Sequence, residues 1–368
     1  MPLRVLVADD SALFRRVITE ALASIRDVEI VGSAANGRLA VQMVRELQPD
    51  LLTLDIEMPG MDGLAVLDAL RQAGEDTMVI VVSALTSRGG RLTMQALEKG
   101  ALDFITKPDS SGAAQSRAAI VKELAQRLPA LANRLAIRKI LKNAQQPPPS
   151  PVDRGARKAA DLGQAAEAMN RMATTKRPEM VLIGVSTGGP NALAQLLPAI
   201  PKNIGVPFLV VQHMPPIFTQ SLAESLSAKC ALQVREASHS EPVVPNTVYI
   251  APGGKQMRVA SRAGDSMSIE ITDDPPENNC KPSVDYLFRS VALRFPGPAM
   301  AVILTGMGSD GTLGLRLLKR NGCHILAQDE ASCVVFGMPK AAIDAGVVDA
   351  VLPIEAMAAK IVSSVRGG

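Results

Sequence analysis

Residues 3–23 read LRVLVADDSALFRRVITEALA, which is a short apolar run, two acids and then an amphipathic segment. An apolar run of this length is typical of a buried strand, and the apolar spacing after Ala12 indicates a helix. The same order recurs to about residue 108, and such β/α repeats predict a doubly wound parallel sheet with helices on both faces. The predicted strands are Leu3–Val7, Val28–Val31, Leu51–Leu54, Met78–Val82 and Leu102–Ile105, and the predicted helices are Ala12–Ala23, Leu39–Leu47, Gly63–Leu70 and Leu92–Leu97.

A second α/β pattern begins near residue 180. Before it lies a predicted helical stretch from about Ser116 to Leu141, followed by the run PPPSP (147–151), which is typical of a linker. The later apolar runs predict a mostly parallel sheet, and MRVASRAGDSMSIEIT (257–272) predicts a β-hairpin insertion. We therefore predict a first domain of residues 1–125, a helical and Pro/Ala-rich linker of residues 126–177, and a second domain of residues 178–368.

The composition argues against several classes of function. The 39 basic and 36 acidic residues leave a net charge of only +3, and without a dense basic block we expect no nucleic-acid partner. No apolar run approaches the ~18 residues that span a bilayer, so we expect no direct membrane insertion. The acid at residue 9 argues against a signal or transit peptide, and four cysteines without CxxC spacing favour reduced thiols. A cytoplasmic location is the expectation.

Polar side chains follow four of the predicted strands of the first domain. Asp9 and Asp10 follow the first strand, Asp55 ends the third, and Ser83 and Lys107 follow the fourth and fifth. The carboxyl ends of parallel strands share one edge of the sheet, where functional groups collect. Converging carboxylates repel one another unless a cation intervenes, and Mg²⁺ prefers such oxygen ligands. We interpret Asp55 as a nucleophile that accepts a phosphoryl group, although the acids after the first strand could also cap a helix.

The stretches VADDSALFRR (7–16), LDIEMPGMDG (54–63), SALTSRGG (83–90) and ITKP (105–108) carry a resemblance. Residues 3–108 resemble the receiver domain of two-component response regulators, which has a flavodoxin-like fold. The resemblance implies that Asp55 is the phosphoacceptor and that Mg²⁺ supports its phosphorylation. It also implies Asp10, Asp55 and the backbone carbonyl of Glu57 as metal ligands, Asp9 in the same pocket, Ser83 and Lys107 at the phosphoryl group, and Phe104 as the aromatic switch residue.

The second domain opens with a candidate nucleophile. Ser186 lies in the pattern G-x-S-x-G (184–188), between a predicted strand and a predicted helix. A serine on such a turn can be exposed beside helix N-terminal amides that stabilise an oxyanion. Glycine-rich turns also bind phosphates, although this one lacks the G-K-[ST] of a P-loop. The pattern alone therefore leaves catalysis and phosphate binding both open.

Three histidines could serve as the general base. His213 ends the run FLVVQH and shares the carboxyl edge with Ser186 if the strands are parallel. His239 lies in a predicted loop, and His324 begins a strand at the opposite edge, roughly 17–20 Å away. His213 is therefore the best candidate. Two acids remain as candidates for orienting it, since Asp310 and Asp329 both follow predicted strands.

A second resemblance covers the rest of the chain. The motifs are GVSTGGP (184–190), VVQHMP (210–215), IAPGG (250–254), KPSVDYLF (281–288), LTGMGSDG (304–311) and AQDEASCVVFGMPKAA (327–342). They resemble the catalytic domain of the chemotaxis methylesterase family, CheB. The resemblance implies a triad of Ser186, His213 and Asp310. Our own expectation is that the oxyanion and substrate loops contain Thr187, Gly188 and Met307, with backbone amides as the donors.

The same resemblance implies the reaction and the partners. The expected substrates are glutamate γ-methyl esters and glutamines of chemoreceptors, the expected phosphodonor is a chemotaxis histidine kinase, and the esterase step is expected to need no cofactor. We expect the unphosphorylated receiver domain to cover Ser186. Two alternatives remain: a non-catalytic binding module that uses Ser186 to hold phosphate, and a DNA-binding output domain, which the strand-rich pattern of residues 180–368 disfavours.

Overall fold

Five parallel strands form the N-terminal sheet of the computed structural model, in the order β2-β1-β3-β4-β5. This is the flavodoxin-like order, in which the crevice for a ligand lies between the carboxyl ends of β1 and β3. The structure describes residues 2–107, 177–261 and 267–367, and between them residues 117–118, 120–125, 127–129, 131–132 and 135. The elements are β1 (Leu3–Ala8), α1 (Ala12–Ala23), β2 (Val28–Ala34), α2 (Gly37–Leu47), β3 (Leu51–Asp55), α3 (Gly63–Gln72), β4 (Met78–Ala84), α4 (Ser87–Glu98) and β5 (Asp103–Lys107).

The local sequence explains why each helix of this sheet begins where it does. Each is preceded by a side chain that accepts a hydrogen bond from a first-turn amide, which satisfies a donor that the helix leaves free. The capping residues of α1 to α4 are Ser11, Asn36, Asp62 and Thr86. Because Ser11 caps α1, the acids that precede it are not needed for that role.

Seven parallel strands form the second sheet, in the order β14-β13-β12-β6-β7-β9-β8. The strand order reverses between β12 and β6, so the crevice of this sheet lies at their carboxyl ends. The strands are β6 (Met180–Val185), β7 (Phe208–Gln212), β8 (Gln233–Glu236), β9 (Thr247–Ile250), β12 (Ala299–Ile303), β13 (His324–Gln328) and β14 (Ala350–Leu352). The helices are α5 (Gly189–Leu196), α6 (Phe218–Ser227), α7 (Val284–Arg294), α8 (Thr312–Arg320), α9 (Met338–Asp344) and α10 (Ile354–Arg366), with a 3₁₀ turn at Leu197–Ala199.

The predicted fold class is confirmed for both sheets. β10 (Gln256–Ser261) and β11 (Met267–Thr272) pair antiparallel as the predicted hairpin. The short edge strands β8 and β14 were not predicted. The described residues between 117 and 135 are helical, whereas the rest of the predicted helix to Leu141 and the predicted linker up to residue 176 lie outside the described residues.

The receiver-like sheet is docked on the second domain through α4 and β5. Asn191 donates from Nδ2 to the carbonyl oxygen of Ala101 at 2.9 Å. Lys229 Nζ lies 2.5 Å from Glu98 Oε1. The ring of Phe104 stacks on that of Phe218, with 4.6 Å between their centroids. An apolar ring contact flanked by polar contacts resembles the buried core and polar rim of a protein interface.

Candidate functional site

The carboxyl edge of the first sheet holds a compact cluster of acids around one lysine. Lys107 Nζ lies 2.7 Å from Asp55 Oδ2 and 2.9 Å from Asp9 Oδ2. One carboxylate oxygen each of Asp9, Asp10 and Asp55 lie within 4.8 Å of one another. Asp9 and Asp55 are buried whereas Asp10 is exposed. The structure therefore brings together the acids and the lysine that the sequence placed at this edge.

Burial dominates the electrostatics of Asp55. It raises the pKa of the Asp55 carboxyl to about 6, because the charged form loses hydration; Lys107 opposes this shift and Asp9 adds to it. The pKa of Lys107 is raised above its usual value, since the two carboxylates outweigh its own burial. A further cation at this edge would relieve the repulsion between the carboxylates.

Three other predicted receiver positions line a small cavity of about 100 Å³ beside Asp55 and Lys107. Asp10, Glu57 and Ser83 border it together with Asp55 and Lys107. Ser83 is buried and its Oγ donates to the Gly89 carbonyl oxygen at 3.3 Å. The Glu57 side chain pairs with Arg88, with 3.2 Å between Oε1 and Nε. Phe104 lies outside the cavity, at the docked face.

The carboxyl edge of the second sheet carries the predicted serine, histidine and second acid. Ser186 follows β6, His213 follows β7, and Asp310 follows β12; these three strands are neighbours in the sheet. All three residues line one cavity of about 570 Å³. Ser186 and His213 are partly exposed, and Asp310 is buried.

His213 and Asp310 form a direct pair. His213 Nε2 lies 2.8 Å from Asp310 Oδ2, and Nδ1 faces Cys280 Sγ at 3.7 Å. Burial lowers the pKa of His213, but the hydrogen bond with Asp310 and the neighbouring Cys280 raise it, and the balance is about 9. Burial raises the pKa of Asp310, but His213 and several donors lower it to about 2. Asp310 is therefore held as a carboxylate beside the imidazole.

The N-terminus of α7 holds Asp310 in place, and this feature was missed from the sequence. Asp310 accepts hydrogen bonds from the amide of Val284 at 2.7 Å and from that of Asp285 at 3.1 Å. It also accepts from Ser283 Oγ and from Asn278 Nδ2, both at 2.9 Å. A helix N-terminus stabilises a carboxylate in this way because its first amides have no partner within the helix. The motif KPSVDYLF carried this signal, since Ser283 is a typical N-cap residue.

The loops around Ser186 approach one another closely because they contain glycine. A Cβ atom on Gly306 would lie 2.8 Å from Ser186 Cβ, and one on Gly188 would lie 2.4 Å from Val334 Cγ2. Gly188 also has a φ of +75°, which favours glycine. Among the described residues, no hydrogen bond joins Ser186 Oγ to His213. Such catalytic hydrogen bonds are often long in the absence of substrate.

The alternative histidines and the alternative acid lie elsewhere. His324 begins β13 at the opposite edge of the sheet and pairs with Asp349 at 3.3 Å. His239 is exposed and contacts the hairpin backbone at Ile271. Asp329 accepts hydrogen bonds from the amide and the hydroxyl of Ser332, as expected for a residue that turns the chain. The geometry therefore favours His213 and Asp310 over these residues.

Residues of the first domain also line the cavity that contains Ser186. Phe104 and Thr106 border it from β5. Asp103 and Glu123 both pair with Arg127 at 3.0 and 2.5 Å, and these three side chains complete that wall. The approach to Ser186 is thus shared by both domains.

The first sheet edge carries acids and a lysine, as in a receiver domain. The second carries a serine, a histidine and an acid, as in a hydrolase. The fold and the two sites therefore define a receiver domain joined to a candidate hydrolase domain. The family of response regulator receiver domains matches residues 5–118, and the family "CheB methylesterase" matches residues 181–361. The chain is 47% identical, over 99% of both chains, to the protein-glutamate methylesterase/protein-glutamine glutaminase of Desulfotalea psychrophila. The chain therefore belongs to the CheB methylesterase family, and the prediction of an enzyme of this family is confirmed.

Two further similarities extend this comparison. The chain is 41% identical to protein-glutamate methylesterase/protein-glutamine glutaminase 3 of Burkholderia lata, over 98% of this chain and 95% of that one. It is also 41% identical to the crystallised CheB methylesterase catalytic domain of Thermotoga maritima. That match covers 51% of this chain and 99% of the Thermotoga chain, with a TM-score of 0.49. Within the described residues, no helix is both long and apolar enough to cross a membrane.

Proposed function

We propose that the chain removes methyl groups from glutamate γ-methyl esters of chemoreceptors and deamidates receptor glutamines, in chemotaxis adaptation. In this proposal Ser186 is the nucleophile, His213 the general base and Asp310 the residue that orients the imidazole. The observation that carries it is the 2.8 Å contact between His213 and Asp310 at the sheet edge that also bears Ser186. The names of the relatives supply the substrate class.

In this proposal each ring nitrogen of His213 has a separate task. Nε2–H donates to Asp310, so Nδ1 has the lone pair that takes the proton from Ser186 Oγ. The Ser186 oxygen then attacks the ester carbonyl carbon and forms a tetrahedral intermediate. His213 returns the proton to the methoxy group, which leaves as methanol, and the substrate glutamyl group remains bonded to Ser186. Water, deprotonated by His213, hydrolyses that ester and restores the serine.

The loops beside Ser186 supply donors for the oxyanion. Among the described residues, the backbone amides of Thr187 and Met307 donate to no other group. Met307 borders the cavity, and Thr187 follows Ser186 directly. Such donors are typically worth ~3–4 kcal/mol each in the transition state. Gly188 allows the positive φ that this turn requires. The same steps convert a glutamine amide to glutamate, with ammonia as the leaving group.

Asp55 is the proposed phosphoacceptor, and a chemotaxis histidine kinase the proposed phosphodonor. Asp10, Asp55 and the Glu57 carbonyl would hold Mg²⁺. The fit is supported by the acid cluster of Asp9, Asp10 and Asp55, one oxygen of each lying within 4.8 Å of the others. When bound, the ion neutralises charge on the carboxylate and on the incoming phosphoryl oxygens. Lys107 and Ser83 are the proposed contacts of the phosphoryl oxygens, and Lys107 is already 2.7 Å from Asp55.

The proposed control is a change in how the receiver domain docks. Receiver residues line the Ser186 cavity, and Phe104 stacks on Phe218 at the docked face. In this proposal that wall restricts the access of a substrate helix to Ser186. Phosphorylation of Asp55 would favour the undocked form, and moving an equilibrium from 1:99 to 99:1 takes ~5.5 kcal/mol of differential stabilisation.

Methanol release from methylated receptor membranes tests the hydrolase half of the proposal. Ser186→Ala should lower kcat by up to about 10⁶-fold, the scale for the nucleophile of a serine hydrolase. Ser309→Ala is the matched control, because Ser309 borders the same cavity without a proposed role. Activity of Ser186→Ala within tenfold of the wild type would exclude Ser186 as nucleophile and favour a non-catalytic site.

A further inference from the structure

A free thiol lies beside the proposed catalytic base. Cys280 Sγ is 3.7 Å from His213 Nδ1, and His213 Nε2 is 2.8 Å from Asp310 Oδ2. One donor atom from each of these three residues lies within 4.8 Å of the other two. Cys280 is unpaired and partly exposed at the wall of the Ser186 cavity. A nitrogen, a sulfur and a carboxylate at this spacing form a donor set that borderline-soft cations prefer.

The distance between the nitrogen and the sulfur matches that in a tetrahedral zinc site. Zn–N bonds of ~2.0–2.1 Å and Zn–S bonds of ~2.3 Å at the tetrahedral angle place the two donors ~3.6 Å apart. The observed separation is 3.7 Å. The separation of Nδ1 and Sγ is therefore compatible with a zinc ion bound to both atoms.

Asp310 completes the arrangement from the far side of the ring. A histidine that ligates zinc typically donates its other N–H to a carboxylate, which fixes the tautomer and makes the ligating nitrogen more basic. The Nε2 contact with Asp310 is that interaction, so the lone pair of the neutral ring is on Nδ1, the nitrogen that faces Cys280. The cavity of about 570 Å³ leaves room for water in the remaining coordination positions.

We propose that His213 Nδ1 and Cys280 Sγ form an inhibitory binding site for a borderline-soft divalent cation of the Zn²⁺ class. Coordination releases the Cys280 proton to solvent, together with the Nδ1 proton when the His213 ring is protonated, and forms a Zn–S and a Zn–N bond with no change of oxidation state. The bound ion occupies the lone pair that removes the proton from Ser186, so hydrolysis stops. This inhibitory effect rests on the proposed role of His213 as base, whereas the binding itself does not.

The proposed site and the acid pocket around Asp55 prefer different cations. Mg²⁺ prefers oxygen ligands and fits the acid pocket around Asp55. The nitrogen and sulfur pair suits Zn²⁺ or Co²⁺ instead. The cation that supports phosphorylation of the receiver domain therefore leaves the hydrolase free, and the cation of the Zn²⁺ class inhibits it.

Direct binding is measured on the full chain with Co²⁺ as the probe, in excess Mg²⁺ and with a phosphine reductant. The wild type should bind one Co²⁺ at this site with the absorption band of a thiolate ligand, and Zn²⁺ should displace it. Cys280→Ser should lose the band, and Cys230→Ser, which changes another partly exposed free thiol, should keep it. Asp310→Asn should weaken Co²⁺ binding by roughly 10–100-fold, as loss of such a carboxylate does elsewhere.

Inhibition is then measured as methanol release against Zn²⁺, each variant being compared with its own metal-free rate. The half-inhibiting Zn²⁺ concentration should rise at least about tenfold in Cys280→Ser and stay unchanged in Cys230→Ser. A thiolate band that survives in Cys280→Ser, or the absence of a band in the wild type, overturns the proposed site. Ser186→Ala should still bind Co²⁺, so a failure of the proposed triad remains separate from a failure of the metal site.

Discussion

Asp310→Asn separates the two acids that the sequence left as candidates. Asp310 Oδ1 faces two N–H donors, Asn278 Nδ2 and the Asp285 amide, and Oδ2 faces two others, His213 Nε2 and the Val284 amide. An asparagine replaces one oxygen by an amino group, so in either orientation of its amide two N–H donors point at a donor. In one orientation the amino group faces His213, and in the other it faces Asn278 and Asp285. The substitution therefore weakens the anchor of the imidazole without changing the size of residue 310.

The expected magnitude follows from these contacts. A buried donor left without an acceptor costs ~1–3 kcal/mol, so two such donors should lower the free energy of unfolding of the second domain by about 2–6 kcal/mol. The larger effect is on kcat, because His213 loses the partner that fixes Nδ1 as the base. Loss of this tautomer lowers kcat by about 10⁴ in a serine protease, and we expect a similar loss here.

Methanol release by Asp310→Asn and Asp329→Asn makes the comparison. Asp329 follows the adjacent strand and its side chain accepts hydrogen bonds from Ser332 rather than from His213, so its variant should keep kcat within about tenfold of the wild type. Urea unfolding monitors whether each variant is folded. A folded Asp310→Asn with near-wild-type kcat would refute the assignment, as would an equal loss in Asp329→Asn.

Two other predictions use the ionisation of His213 and the docked face. His213 acts as a base only when it is neutral, and its pKa is raised to about 9. The value of kcat/KM should therefore rise tenfold per pH unit below pH 9 and become constant above it. A plateau that is already reached at pH 7 would contradict this. The same shift stabilises the fold fully below the usual pKa of 6.5, and that contribution is lost as pH rises through about 9. Glu98 and Lys229 form a partly exposed ion pair between the domains, worth ~0.2–1 kcal/mol, and Glu98→Lys turns this attraction into repulsion. Methanol release without a phosphodonor should therefore increase several-fold. An unchanged rate would argue against occlusion by docking.

Most of the fold could be predicted because its strands are buried on both faces. Continuous apolar runs placed Met180–Val185 as a strand with its observed bounds, and apolar periodicity did the same for the helix Ala12–Ala23. The edge strands Gln233–Glu236 and Ala350–Leu352 were missed because they are short and partly exposed. Such strands form by pairing with a neighbour, which leaves little pattern in their own sequence.

The candidate sites were predictable where a residue follows a strand. The rule that functional groups collect at the carboxyl edge located Asp55, Ser186 and His213 directly. It did not separate Asp310 from Asp329, since both follow strands at that edge. Asn278 and Cys280 were missed because they come from a loop whose return to His213 depends on packing between distant parts of the chain. Their roles, and those of the predicted site residues, stay predictions.

The central claim is that an aspartate switch governs a serine hydrolase. Its most direct measurement is methanol release from methylated receptor membranes, with and without a small-molecule phosphodonor and Mg²⁺, by the wild type and by Asp55→Asn. The wild-type rate should rise on phosphorylation, and Asp55→Asn should keep its basal rate under both conditions. An equal rise in Asp55→Asn, or a wild-type rate that ignores the phosphodonor, would contradict it.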